Sequence, residues 1–163
     1  MRTRAAILLL LATLLLSACG YRLQGQAELP AAMDMTVIET GDPYSHFVRR
    51  LTILLEQNGA RVVDQGVSAA RLEIPLNQVQ KEILSIGGTA RVREFKVVHR
   101  VRYRLVDADG NVLVPEQFLE QSRVISFDEQ DILAAIREEE FLREELAETL
   151  ARQVLRGLGT AGA

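Results

Sequence analysis

The chain opens with an apolar run from Ala5 to Leu16, interrupted only by Thr13, preceded by Arg2 and Arg4 and followed by the small residues Ser17 and Ala18. A helix needs about 20 apolar residues to cross a bilayer, so this run is too short to span one. Its basic, apolar, small order is that of a secretory leader. Tyr21 to Pro30 is polar and without periodicity, as in a tether. Met35 to Thr40 then reads as a first strand. Asp42-Pro43 offers an N-cap acceptor and a first helical residue that needs no amide hydrogen. From there Tyr44, Phe47, Val48, Leu51, Leu54 and Leu55 recur at helical spacing, and Asn58-Gly59 closes the helix with a residue able to take positive φ.

After a short extension at Arg61-Val62-Val63, Leu72, Ile74 and Leu76 alternate with Arg71, Glu73 and Pro75. That pattern predicts a half-buried strand whose proline requires an edge or a bulge. Gly87-Gly88 supplies a hairpin turn. In the strand that follows, Phe95, Val97, Val101, Tyr103 and Leu105 share one face, together with His99, and Lys96, Arg100, Arg102 and Arg104 share the other. Residues 107–111 turn the chain, and Gln117 to Phe127 returns as a further strand. Ser126 and Glu129 have capping-box spacing, with Asp128 and Asp131 beside the positive end of the dipole. A long helix then runs to about Arg156, with Leu142, Leu146, Thr149, Leu150, Gln153 and Val154 in one stripe and Gly157 past its end. Glu139 falls on that stripe, so either the first turns overhang the core or Glu139 meets a basic residue of the sheet. Phe141 and Leu155 fall on the opposite, charged face, either as scattered surface residues or as a surface for a protein partner.

These elements predict a two-layer α+β domain. Two helices pack on one face of a mainly antiparallel four-stranded sheet, in the order strand-helix-strand-strand-strand-helix, and the other face stays open. The chain divides as a leader over 1–18, a tether over 19–30, one domain over 31–157 and a flexible tail over 158–163.

Charge narrows the function. The formal net charge is -3, and removing the leader with Arg2 and Arg4 takes it to about -5. A nucleic acid is therefore not an expected partner. Catalysis finds little support: neither His46 nor His99 has a Cys, Asp or Ser at a spacing that predicts a triad or a metal set, and no cofactor is expected. Asp107-Ala108-Asp109-Gly110-Asn111 imitates the start of a calcium loop, but Val112 and Phe118 stand where that loop needs Gly and Glu, so it reads as a hairpin turn. Gly87-Gly88-Thr89 lacks the lysine of a phosphate loop. The basic strand face is the more informative feature. Alternate residues lie about 6.5–7 Å apart, so Lys96, Arg100, Arg102 and Arg104 form a ladder of like charges, extended near the turn by Arg91 and Arg93. Such a ladder needs water, neighbouring carboxylates or an anionic ligand. One reading is a solvated face paired with Glu73 and Glu120, and the other is recognition of phosphate groups by guanidinium forks.

The only cysteine, Cys19, ends the run Leu16-Ser17-Ala18-Cys19. With no second thiol, no disulfide can form within the chain, and the fold rests on packing. The run resembles the lipobox of bacterial lipoproteins, which implies acylation of Cys19 and cleavage before it. Two or three acyl chains anchor stably where one does not. Gly20 stands where many lipoproteins kept in the inner membrane carry Asp, so the resemblance implies the outer membrane. There the abundant phosphorylated ligand is lipopolysaccharide.

Three segments carry a wider likeness: Cys19-Gly20-Tyr21-Arg22-Leu23, Val97-Val98-His99-Arg100-Val101-Arg102-Tyr103-Arg104-Leu105, and Glu138-Glu139-Glu140-Phe141-Leu142-Arg143-Glu144-Glu145-Leu146. They resemble the LPS-assembly lipoprotein family, LptE, over essentially the whole mature chain. The resemblance implies a two-helix, four-stranded domain that plugs the lumen of the outer-membrane barrel LptD, helps it assemble and binds lipopolysaccharide. The family's proposed contacts are basic residues near a strand-connecting turn, and Arg91 and Arg93 are the positional match. A reading of a different class is an accessory lipoprotein of another envelope complex, pilotin-like or part of barrel assembly, with no lipid ligand.

Overall fold

The computed structural model describes residues 28–86, 92–126 and 132–160. Cys19, the Gly87-Gly88 turn, Arg91 and the acidic cap residues Asp128, Glu129 and Asp131 lie outside the described residues. After a 3-10 turn at Ala31–Asp34, the order is β1 (Met35–Thr40), α1 (His46–Gln57), β2 (Arg61–Val62), β3 (Ala70–Ile86), β4 (Val92–Val106), β5 (Val112–Ser126) and α2 (Ile132–Gly159).

The architecture is the expected two-layer α+β, but the sheet has five strands, ordered β2-β1-β3-β4-β5, rather than four. The additional strand is Arg61–Val62, which pairs parallel to β1 through Met35 with Arg61 and Thr36 with Val62. Two residues are too few for alternation to show in sequence. β1 is also parallel to β3, whereas β3, β4 and β5 form an antiparallel meander.

Local chemistry sets the boundaries. α1 starts at His46 and not at Pro43, because Ser45 is its cap: the Ser45 Oγ accepts from the Val48 amide at 3.3 Å and donates to the Asp42 carbonyl at 3.1 Å. Gly59 ends the helix region at φ 95°, a conformation that suits glycine. Pro75 lies in a bulge, since Glu73 pairs with Arg104 and Leu76 with Arg102, leaving Ile74 and Pro75 opposite Tyr103 alone. The 107–111 turn is closed by Asp107, whose carboxylate accepts from the amides of Asp109 and Asn111 and from Asn111 Nδ2, all within 2.9 Å. These bonds hold the Asp107 carboxyl below the usual range, the Asn111 side chain contributing most.

The core lies between the helices and the inner sheet face. Phe47, Leu51 and Leu55 of α1 meet Leu72, Val101, Leu105, Leu150, Val154 and Leu158 there, all essentially without exposure. α2 packs against α1, β4 and β5 together, so its buried arc is wide. That width corrects two expectations. Leu155, assigned from sequence to a partner-facing charged side, is buried in the core. The helix also runs on to Gly159 and buries Leu158, so the first two residues of the expected tail are helical. Gly157 is not a terminator. A Cβ there would lie 2.2 Å from the Tyr103 hydroxyl, so this helical glycine lets α2 approach β4.

A polar joint crosses the core. The His99 Nε2 is 2.8 Å from Asn77 Oδ1, and Asn77 Nδ2 donates to Ser45 Oγ at 2.8 Å. Because Asn77 Oδ1 only accepts, Nε2 carries the hydrogen. Phe47 meets the imidazole edge-on at 5.8 Å. Nδ1 is buried without a partner among the described residues, so the histidine is only half satisfied. Burial, with a smaller push from Arg143, lowers its pKa to about 4. At the far end of α2, residues from Ile132 to Glu138 are nearly all exposed, and Glu139 is held by Lys81 Nζ at 2.6 Å and Arg143 at 2.7 Å. Both alternatives read from sequence therefore hold: the first turns overhang the core, and Glu139 meets a sheet lysine.

Two measurements check this packing. Gly157→Ala gains about 1 kcal/mol of helix propensity but forces Tyr103 to move, and a net loss of about 1–3 kcal/mol is expected by urea denaturation. In a Tyr103→Phe background the same substitution should be neutral or stabilising. For His99 the folded pKa of about 4 lies below the unfolded value near 6.5, so the unfolded chain binds the proton first. Stability present above pH 6.5 is lost on acidification toward pH 4, by about 2 kcal/mol between pH 7 and pH 5. His99→Gln should flatten that part of the profile.

Candidate functional site

Period-two geometry places the β4 cations on the face that neither helix covers. In register, Lys96 lies between Glu82 of β3 and Val124 of β5, and Arg100 between Gln78 and Glu120. Arg102 lies between Leu76 and Phe118. Arg104 lies opposite Glu73.

Carboxylates compensate every one of these four cations. Arg100 donates to Glu120 at 2.6 Å, to Gln80 at 2.6 Å and to Glu82 at 2.9 Å. Lys96 Nζ is 3.6 Å from Glu82, and Arg104 donates to Glu73 at 2.6 Å. Arg102 is the loosest: its Nε is 3.7 Å from Glu116, its side chain is 46% exposed, and its guanidinium lies 6.0 Å from the Phe118 ring centre. The hydrogen bond from Arg100 is the main cause that holds Glu82 below the usual carboxylate range, and Glu82 and Glu120 in turn raise the Arg100 pKa. Glu73 does the same for Arg104.

Of the two readings of the ladder, the paired face is what the geometry displays, with Glu73 and Glu120 as expected. Glu82, Glu116 and Gln80 were missed. Their signal was the outward parity of β3 and β5, which needs the register to become a contact. The same register explains Val98, fully buried on this open face between long neighbours, and leaves Phe118 and Val124 exposed there. Arg93 belongs to β4, but its side chain, like Arg91, is outside the description. Phe141 is exposed on α2, as expected, but Leu155 does not join it. Among the described residues, this face holds cations paired with carboxylates, amides and apolar side chains.

The family model described as LptE, lipopolysaccharide-assembly, matches residues 34–158, which includes every strand from β3 to β5 and nearly all of α2. The chain belongs to the LptE family. An LPS-assembly lipoprotein LptE from Yersinia pestis (strain Pestoides F) is 30% identical over 169 aligned positions, which take in 100% of this chain and 79% of the relative. Among solved structures, an uncharacterized lipoprotein B from Nitrosomonas europaea is 30% identical with a TM-score of 0.69, covering 84% of this chain and 88% of its own. A rare lipoprotein B from Shewanella oneidensis, 21% identical with a TM-score of 0.65 over 77% of this chain and 94% of that one, shares the fold. As an LptE-family member the protein is an outer-membrane lipoprotein on the periplasmic side and not an enzyme.

Proposed function

We propose that this LptE-family protein, anchored through acylated Cys19, serves as plug and scaffold of an LptD-like outer-membrane barrel and binds lipopolysaccharide during its assembly at the cell surface. The observation that carries this reading is the uncovered face of β3, β4 and β5. It is densely charged yet compensated within itself, from Arg104 and Glu73 at one end to Lys96 and Glu82 at the other. The lumen of a large barrel is polar, and a compensated face meets a polar wall without leaving a row of like charges facing it. Exposed Phe118, Val124 and Phe141 add apolar contact area.

Ligand phosphates compete with carboxylates already in place. Arg100 and Arg104 have short bonds to give up, whereas Arg102 holds Glu116 only loosely. Within the ladder Arg102 is therefore the readiest phosphate contact, joined by Lys96 and by Arg91 and Arg93 beside the hairpin.

Two experiments test the halves of this reading. A C-terminally tagged protein, solubilised mildly from membranes, should co-purify with an LptD-like barrel, and Cys19→Ala should lose membrane attachment and with it that recovery. Recovery of a secretin or a barrel-assembly machine instead would establish the accessory-lipoprotein reading. Binding to phosphorylated lipid A should fall on replacing Arg91, Arg93, Lys96 and Arg102 together by Ala, more than binding to the dephosphorylated form. Equal loss for both forms, or none, would leave the ladder a purely structural face.

A further inference from the structure

Away from the basic face, the first residue of α1 meets the exposed side of α2. Glu140 and Glu144 are four residues apart and so share one helix face. His46 stands against both: its Nε2 is 3.4 Å from Glu140 Oε1, and its Nδ1 is 3.5 Å from Glu144 Oε1. One donor atom from each of the three side chains fits within a span of 4.8 Å. All three are exposed, so their rotamers are free to adjust.

We propose that His46, Glu140 and Glu144 form a site for a zinc-class divalent cation that ties α1 to α2. This proposal is independent of the barrel and lipopolysaccharide reading. Bonds of about 2.0–2.1 Å in a tetrahedral zinc site place neighbouring donors about 3.3–3.4 Å apart, which is the spacing His46 Nε2 and Glu140 already have. The set of one imidazole and two carboxylates suits zinc and its neighbours, while calcium and magnesium take oxygen donors alone. Two carboxylates also neutralise the charge of the ion, and water completes an open coordination shell.

Of the surrounding cations, Arg49 touches a proposed ligand and has to give way, while Arg50 and Arg143 are held elsewhere. Arg49 only donates, so its contact at 3.3 Å makes His46 Nδ1 an acceptor and leaves the ring hydrogen on Nε2. Zinc at Nε2 needs that hydrogen on Nδ1 instead, so Arg49 swings off the ring, keeping the bond it also donates to the Tyr44 carbonyl at 2.7 Å or exchanging it for water. Arg50 is engaged by Glu148, and Arg143 by Glu139. The ligating nitrogen is accordingly Nε2, with Glu140 in place and Glu144 reaching it by rotation. Spacing along the chain concealed the set, because its members come from two helices about ninety residues apart.

The test uses the untagged protein purified in detergent from membranes, with any free Cys19 thiol blocked, and zinc chloride alone as titrant. Calorimetry should show a single equivalent of zinc bound, undiminished by excess calcium, and zinc should raise the thermal midpoint. The chain has only two histidines, so proton spectra read the site directly: the His46 ring signals should shift and those of buried His99 should not. His46→Ala should weaken zinc binding by about tenfold or more, and the Glu140→Gln/Glu144→Gln pair should do the same, while both variants keep a cooperative melt without zinc. Absence of zinc binding, binding that survives His46→Ala, or equal competition by calcium would overturn the proposal.

Discussion

The strict alternation of β4 is the constraint on which the rest of the fold depends. One side of the strand offers Val97, His99, Val101, Tyr103 and Leu105, all buried, and both helices close over that side. The other side offers Lys96, Arg100, Arg102 and Arg104, which cannot be buried unpaired, so no helix can cover them. A one-residue slip would exchange the faces and place four cations in the core. The bulge at Ile74 and Pro75 and the Asp107 turn both fix the register at the C-terminal end of β4.

Cation pairing on the outer face follows from the same alternation. In an antiparallel meander, outward residues of β3 and β5 are brought within reach of each β4 cation, and this chain places Glu73, Glu82, Glu116 and Glu120 there. Each exposed pair contributes little to stability. Their role is to make a dense charge row compatible with folding while keeping it at the surface.

What could be read along the chain was whatever has a local period. Alternation in β4, the helical stripe of α1 and the left-handed Gly59 all appear within a window of a few residues. β2 did not, because two residues have no period. Leu155 and Gly157 were misassigned for one shared reason: a helical wheel shows one apolar stripe, whereas α2 has two neighbours, α1 on one side and the sheet on the other, and only tertiary geometry reveals the second. Gly157 looks like a terminator in sequence and is a point of close approach to Tyr103 in space. The cation ladder was visible as a charged stripe with Glu73 and Glu120 as its expected partners, but Glu82 and Glu116 became partners only through the register and the fold. His46 with Glu140 and Glu144 was out of reach for the same reason.

α2 is held by different forces along its length. From Leu146 onward it is fastened by burial, with Leu150, Ala151, Val154 and Leu158 excluded from water. Before Leu146 the fastening is mainly polar: Lys81 on Glu139, Arg123 on Glu145, and His46 beside Glu140 and Glu144. Burying a single leucine contributes about 1.5–3 kcal/mol, against at most about 1 kcal/mol for an exposed ion pair. Local opening of the helix therefore starts at its overhanging N-terminal half, which carries exposed Ile132, Leu133, Ile136 and Phe141. Burial of Glu139 opposes its ionisation, yet the hydrogen bonds from Lys81 and Arg143 outweigh it and keep the carboxyl ionised, so this polar fastening strengthens where the carboxylates are charged and loosens in acid. A protein partner that covers the apolar residues of that half would convert the weakly held end of α2 into a buried one.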